Sequence, residues 1–239
     1  MTTVIDFHTH LLPAIDDGSR NLTDSIAMIR KCLDDGVKTV VATPHFDPET
    51  ESPDSFLKRR AEALERIAPH VGELRLVPAA EVKFCRGFAR MDGIEKTGLE
   101  GYPYMLVEMP FSQWDKAIIK DVIDLVDHRG ILPIMAHVDR YWIKENQPFF
   151  DELLEAGALL QVNVSSLKEF WKGRRLIRQI CDNRIHLLAS DCHNMSTRPP
   201  ELKDGFEILK KYGLVDQVEE NEKQVFSEKK VNLIANYEI

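Results

Sequence analysis

The chain has 239 residues, 44% hydrophobic and 29% charged, with a formal net charge of −8; this suits one soluble α/β domain over residues 1–239 with a substantial core. The acidic balance argues against a nucleic-acid partner, which would call for a basic face, and an anionic substrate would need locally placed Arg or Lys. No window reaches the roughly 18 apolar residues that span a bilayer, and the N-terminus has no basic segment followed by an apolar run, so a cytoplasmic protein without membrane insertion is expected.

Short apolar runs, suited to strands buried on both faces of a parallel sheet, alternate with amphipathic stretches. A strand at 4–7 precedes a helix at 22–35, with Leu22, Ile26, Ile29 and Leu33 on one stripe and Gly36 as its stop. Next come a strand at 39–43, a helix at 55–67 and strands at 75–79 and 105–108. A helix at 116–128 stops at Gly130, a strand follows at 132–135, and a helix at 149–156 stops at Gly157. A strand at 159–164, a helix at 167–181, a strand at 186–189 and a helix at 203–212 complete the series, with terminal helices after about residue 215. Seven strands alternating with helices read as a (β/α) barrel, a fold that builds its sites at the carboxyl ends of its strands.

Those ends carry the chemistry. The runs close as Phe7-His8-Thr9-His10, Thr43-Pro44-His45, Ala80-Glu81, Val107-Glu108, Ala136-His137, Asn163-Val164-Ser165 and Ser190-Asp191-Cys192-His193. Residues two apart on an extended chain point the same way, so His8 and His10 can serve one cation, as can Asp191 and His193. Each motif alone has a plain reading: solvated loop histidines, a satisfied core histidine, or an Asp16-Asp17-Gly18 turn. The plain readings weaken together because all the motifs share one topological position. One aspartate of the turn, with Asp17 favoured, is expected to face inward as a ligand or as the orienter of one. A carboxylate such as Glu81 or Glu108 after an apolar run is costly to desolvate unless a cation meets it. Eight or nine N/O donors exceed the demand of one zinc and fit two or three divalent ions, with Glu81 bridging. Mixed imidazole and carboxylate ligands suit Zn, Mn or Fe without choosing between them. Arg140 and Arg198, close in sequence to His137 and His193, offer bidentate donors to phosphate.

Taken together, these strings resemble the polymerase and histidinol phosphatase (PHP) superfamily. Within it, the run from Asp6 to Gly18, Ala42-Thr43-Pro44-His45, Ala80-Glu81-Val82 and Ser190-Asp191-Cys192-His193-Asn194 look like the bacterial manganese-dependent tyrosine phosphatases of the capsule and exopolysaccharide type. The resemblance covers residues 4 to about 200. It implies a distorted seven-stranded, TIM-like barrel and three metals, with manganese favoured. His8, His10, Glu81 and Asp191 would hold one; Glu81, Glu108 and His137 a second; His45, His193 and Asp17 the third. Arg140 and Arg198 match the two phosphate-gripping arginines. The implied substrate is a phosphotyrosine protein, a bacterial tyrosine kinase controlling polysaccharide synthesis or export. Ala14 departs from an expected Gly, and His137-Val138-Asp139-Arg140 from the usual His-Pro-Glu-Arg; neither loses a ligand.

Three other readings compete. Hydrolysis of histidinol phosphate or another small phosphomonoester would use the same metal chemistry with a different pocket. The stretch from Cys192 to Arg198 matches the C-x5-R loop of cysteine-dependent phosphatases, but it has no glycine to curl around phosphate, and Cys192 should point away from the ligands flanking it. A non-catalytic regulatory module would be expected to lose ligands, and this chain keeps the full set.

Overall fold

The computed structural model describes residues 4–227. The expected domain limits, and the expected helical tail beyond Ser227, therefore lie partly outside the described residues. The element series matches the expected alternation: β1 (Val4–Thr9), α1 (Leu22–Asp34), β2 (Val37–Ala42), β3 (His45–Phe46), α2 (Pro53–Ile67), β4 (Arg75–Pro78), β5 (Glu81–Lys83), β6 (Tyr104–Glu108), α3 (Lys116–Arg129), β7 (Leu132–Met135), α4 (Gln147–Glu155), β8 (Leu159–Asn163), α5 (Val164–Lys168), α6 (Phe170–Cys181), β9 (Leu187–Ala189), α7 (Leu202–Lys211) and α8 (Val215–Ser227).

All strand pairings are parallel. Instead of the seven expected strands there are nine segments among the described residues, in sheets ordered β1-β2-β4 and β3-β5-β6-β7-β8-β9. Two runs are broken. Thr43-Pro44 separates β2 from β3, because Pro44 has no N–H to continue a ladder, and Ala79-Ala80 separates β4 from β5. Bonds from Ala79 N to Ala42 O at 2.9 Å and from Glu81 N to Pro44 O at 3.1 Å carry the pairing across both breaks. A parallel bridge from Thr9 to Cys192 joins β1 to the chain beyond β9.

Side chains alternate across these strands. Met105, Val107, Met135, Leu160 and Val162 face the helices in an outer core. Phe7, Val41, Val77, Leu106, Ile134 and Leu187 form an inner cluster, each such burial contributing roughly 2 kcal/mol. Helix α8 adds Val225 to that cluster, and its Phe226 ring lies 5.6 Å from Phe7, covering the strands near their amino ends. The helix expected at 167–181 is instead two, bent at Glu169. Gly173 makes the bend possible, since a Cβ there would lie 2.2 Å from Leu167 O. No helix among the described residues is long and apolar enough to cross a membrane.

Candidate metal centre

The nine expected donors converge at the carboxyl ends of the strands. His8 and His10 leave β1 on the same side, and their Nε2 atoms stand 2.9 Å apart. Glu81, at the start of β5, reaches between them: its Oε2 is 3.0 Å from His8 Nε2, 3.2 Å from His10 Nε2 and 3.0 Å from His45 Nδ1. Its Oε1 lies 2.8 Å from His137 Nε2, which is itself 3.5 Å from Glu108 Oε1. Asp191 Oδ1 is 3.5 Å from both His8 and His10. Asp17 Oδ1 stands 3.3 Å from His45 Nε2 and 3.4 Å from His193 Nε2.

Three donor groups are compact, each with ligand atoms within 4.8 Å of one another: His8, His10 and Asp191; His10, Asp17, His45 and His193; and His45, Glu81 and Glu108. They overlap the three implied ligand sets with three differences. Glu81 is not in the compact group of His8, His10 and Asp191. His10 also stands with the Asp17 group, and His45 takes the place of His137 beside Glu108.

Electrostatics fit a divalent cation. Burial works to raise Glu81, but the charge of His8 and the contacts of His10, His137 and His45 hold it well below the usual carboxylate range. Asp191 is likewise depressed: burial opposes the shift and His8 and His10 outweigh it. His137 is pushed up to about 9, burial opposing and Glu108 and Glu81 prevailing. The carboxylates thus demand positive charge, and imidazole ligates only when neutral, so a cation supplies what protonation otherwise would. Glu81 Oε2, His137 Nδ1 and His193 Nε2 are buried without a hydrogen bond of normal geometry. Short N/O contacts without hydrogen-bond geometry mark donors aimed at a common centre, and the residues present fit a metal group.

Supporting residues surround the donors; Gln161 escaped the sequence reading, and Asp16 stood in it as the less favoured aspartate of its turn. Asp16, rather than the favoured Asp17, has the buried aspartate side chain of the turn, 4% against 68% exposed; its Oδ2 is 2.8 Å from His10 Nδ1 and accepts from His45 N at 3.0 Å. Burial opposes ionisation of Asp16, but His10 holds its carboxyl down at about 2. Gln161 Oε1 accepts from His137 N at 2.8 Å, and Gln161 Nε2 donates to Asn163 Oδ1. Asn163 closes the one strand end that had no role; its Nδ2 donates to Asp191 Oδ2 at 2.8 Å. Only the three-dimensional network reveals these partners. Arg140 and Arg198 also converge on Asp191 Oδ2, each at 2.7 Å. Two of the donors, His137 (φ 31°) and Asp191 (φ 53°), hold left-handed backbone, the kind of strain that clusters at functional sites. Cys192 is fully buried in the outer core, where burial pushes its thiol far up, which opposes formation of a thiolate.

Fold and donor set define the class: a TIM-like α/β protein with a candidate metal centre at the carboxyl edge of its parallel strands. Residues 4–234 match the family model for capsular polysaccharide synthesis, CpsB/CapC, and the chain belongs to this family. It is 31% identical over 217 residues to the tyrosine-protein phosphatase YwqE of Bacillus subtilis, covering 87% of this chain and 84% of the relative. It superposes with TM-score 0.80 and 27% identity, over 95% of this chain and 96% of the other, on a structure from the work on YwqE and Streptococcus pneumoniae CpsB, described as unique metal-dependent tyrosine phosphatases. The Escherichia coli phosphotriesterase homology protein shares the fold alone, with TM-score 0.56, 13% identity and coverage of 94% and 99%.

Proposed function

We propose that this chain is a metal-dependent phosphomonoesterase that hydrolyses protein phosphotyrosine in capsule or exopolysaccharide synthesis, its physiological substrate a bacterial tyrosine kinase. The observation that carries the reading is at Asp191, where two guanidiniums reach one carboxylate oxygen at the edge of a buried imidazole–carboxylate cluster. In an acidic chain, paired arginines there suit an incoming phosphate.

We read the strands as a distorted seven-stranded barrel in one domain over residues 1–239. His8, His10, Asp17, His45, Glu81, Glu108, His137, Asp191 and His193 would hold two to three divalent ions, manganese first among the candidates. When bound, such ions supply Lewis acidity at phosphoryl oxygens and activate water for in-line attack. Arg140 and Arg198 bind the phosphoryl oxygens and orient the ester. Asp16 fixes the ring of His10, and Gln161 and Asn163 hold His137 and Asp191 in place.

Phe111 favours an aryl ester over histidinol phosphate. It is 66% exposed, and its ring stacks on His137 at 6.1 Å and 17°. An open aromatic face beside the phosphate site suits a phenyl leaving group. A comparison of phosphotyrosine peptide, phosphoserine peptide and histidinol phosphate tests this. Preferred turnover of the first is expected, abolished by chelators but not by iodoacetamide, with two to three metals per chain by elemental analysis. Preference for histidinol phosphate would overturn it.

A further inference from the structure

Helix α6 buries Gly173, Leu176, Ile177 and Ile180 and turns its other face to solvent. That face carries Phe170, 67% exposed, and Trp171, 80% exposed, their rings edge-on at 5.0 Å. Beside them stand Arg174, Arg175 and Arg178, all exposed and none paired with a carboxylate among the described residues. Arg174 packs over Phe170 at 5.6 Å. By contrast, Lys168 and Lys172 are engaged, by Glu201, Asp204, Asp139 and Glu169. A groove of about 360 Å³ runs between Phe170, Arg174 and Ile177 on one side and Ile208, Lys211 and Tyr212 on the other.

An aromatic pair with unpaired arginines is the composition of an interface hot spot. In a chain of net charge −8, a local surplus of positive charge selects an anionic partner. The groove favours a polypeptide strand over a flat surface. The helix that carries the face also reaches toward the candidate site at its amino end: Lys172 meets Asp139 at 3.1 Å, and Asp139 precedes Arg140.

We propose that the Phe170, Trp171, Arg174, Arg175 and Arg178 face is a docking surface for an acidic segment of the phosphoprotein substrate. This deepens the phosphatase reading and rests on it for the substrate's identity. Docking adds affinity outside the metal centre, so it acts on KM for extended acidic substrates and leaves small esters untouched.

The experiment uses the full chain and a glutamate–tyrosine copolymer, tyrosine-phosphorylated and plain, with p-nitrophenyl phosphate as the small ester. The triple variant R174E/R175E/R178E should raise KM for the phosphorylated copolymer at least tenfold and leave p-nitrophenyl phosphate turnover unchanged. F170A/W171A should raise KM severalfold. R30E/K38E/K58E, with the same charge change elsewhere, should have little effect. An equal loss in that control, or an equal loss on p-nitrophenyl phosphate in the α6 variants, would overturn the proposal. So would wild-type binding to phosphatidylglycerol vesicles that the α6 variants abolish while copolymer KM stays unchanged. Binding of plain copolymer, read by fluorescence anisotropy, separates the two readings. If it persists in wild type and is lost in the triple variant while no phosphoester is hydrolysed, the phosphatase reading fails and the docking surface stands.

Discussion

Two buried carboxyl groups at different places on the strand bundle carry opposite charge states. Glu81, at the carboxyl edge, is ringed by His8, His10, His45 and His137 and stays ionised well below the usual range. Glu222, on α8, is fully buried, and neither of its oxygens has a hydrogen bond of normal geometry. Burial drives it well above the usual range; the Ile5 N–H opposes, while Glu219 and Asp6 add to the rise. Burial is common to both, so neighbours decide. A buried carboxyl group stays ionised, and suited to a cation, where the fold gathers imidazoles around it, and becomes a neutral acid where it does not.

Removing Glu81 should have the largest effect, because it touches four of the imidazoles, His8, His10, His45 and His137. Glu81→Gln is expected to lower kcat/KM on phosphotyrosine peptide by about a thousandfold and to reduce bound metal by elemental analysis, with unchanged circular dichroism. His45→Ala, Glu108→Ala and Arg140→Ala should each keep the fold and lose activity by about a hundredfold; near-normal turnover in any of them would count against the assignment. Asp16→Asn acts one step out. It should weaken metal affinity by about 10–100-fold, and excess metal should restore its turnover, which Glu81→Gln would not allow.

At the other carboxyl the sign reverses. A group whose folded pKa is raised holds its proton in the folded state after the unfolded chain has released it, so its stability contribution falls as pH rises above the unfolded value. Glu222→Gln should therefore raise stability by about 1–2 kcal/mol at pH 8, with a smaller gain near pH 4, read from urea midpoints, and with activity unchanged. Equal gains at both pH values would mean that Glu222 is not protonated in the fold. The smallest effect is expected at Ala14, whose φ of 57° accounts for the glycine expected there. Ala14→Gly should stabilise by about 1 kcal/mol without altering kcat.

The donors were legible because a strand end is a local pattern: an apolar run, then a polar residue of metal-binding type. His8, His45 and His137 could be read this way without knowing their neighbours. Gln161 could not, since His137 lies beyond another strand and a lone Gln carries no such mark; Asp16 was legible only as one of two aspartates in a turn, and the fold decided which of them is buried. The break at Thr43-Pro44 was visible in principle, as proline cannot donate to a ladder. The one at Ala79-Ala80 was not, because alanine is neutral to strand continuation. The bend between α5 and α6 depends on how closely Gly173 approaches Leu167, a contact that periodicity cannot register. The α6 face went unread for a related reason: arginine on a helix is ordinary, and Arg174, Arg175 and Arg178 are set apart by standing together beside an exposed aromatic pair with no carboxylate partner among the described residues.

The turn after His10 is a loop that cannot change length. Loops ordinarily absorb insertions, but here three consecutive residues each have a fixed place. Asp16 grips His10, Asp17 reaches His45 and His193, and Gly18 lies so close that a Cβ would sit 2.3 Å from His10 O. Shifting the frame by one residue would press an aspartate side chain against the His10 backbone and remove both carboxylates from their partners. The Asp-Asp-Gly string therefore works as a ruler whose spacing matters as much as its composition.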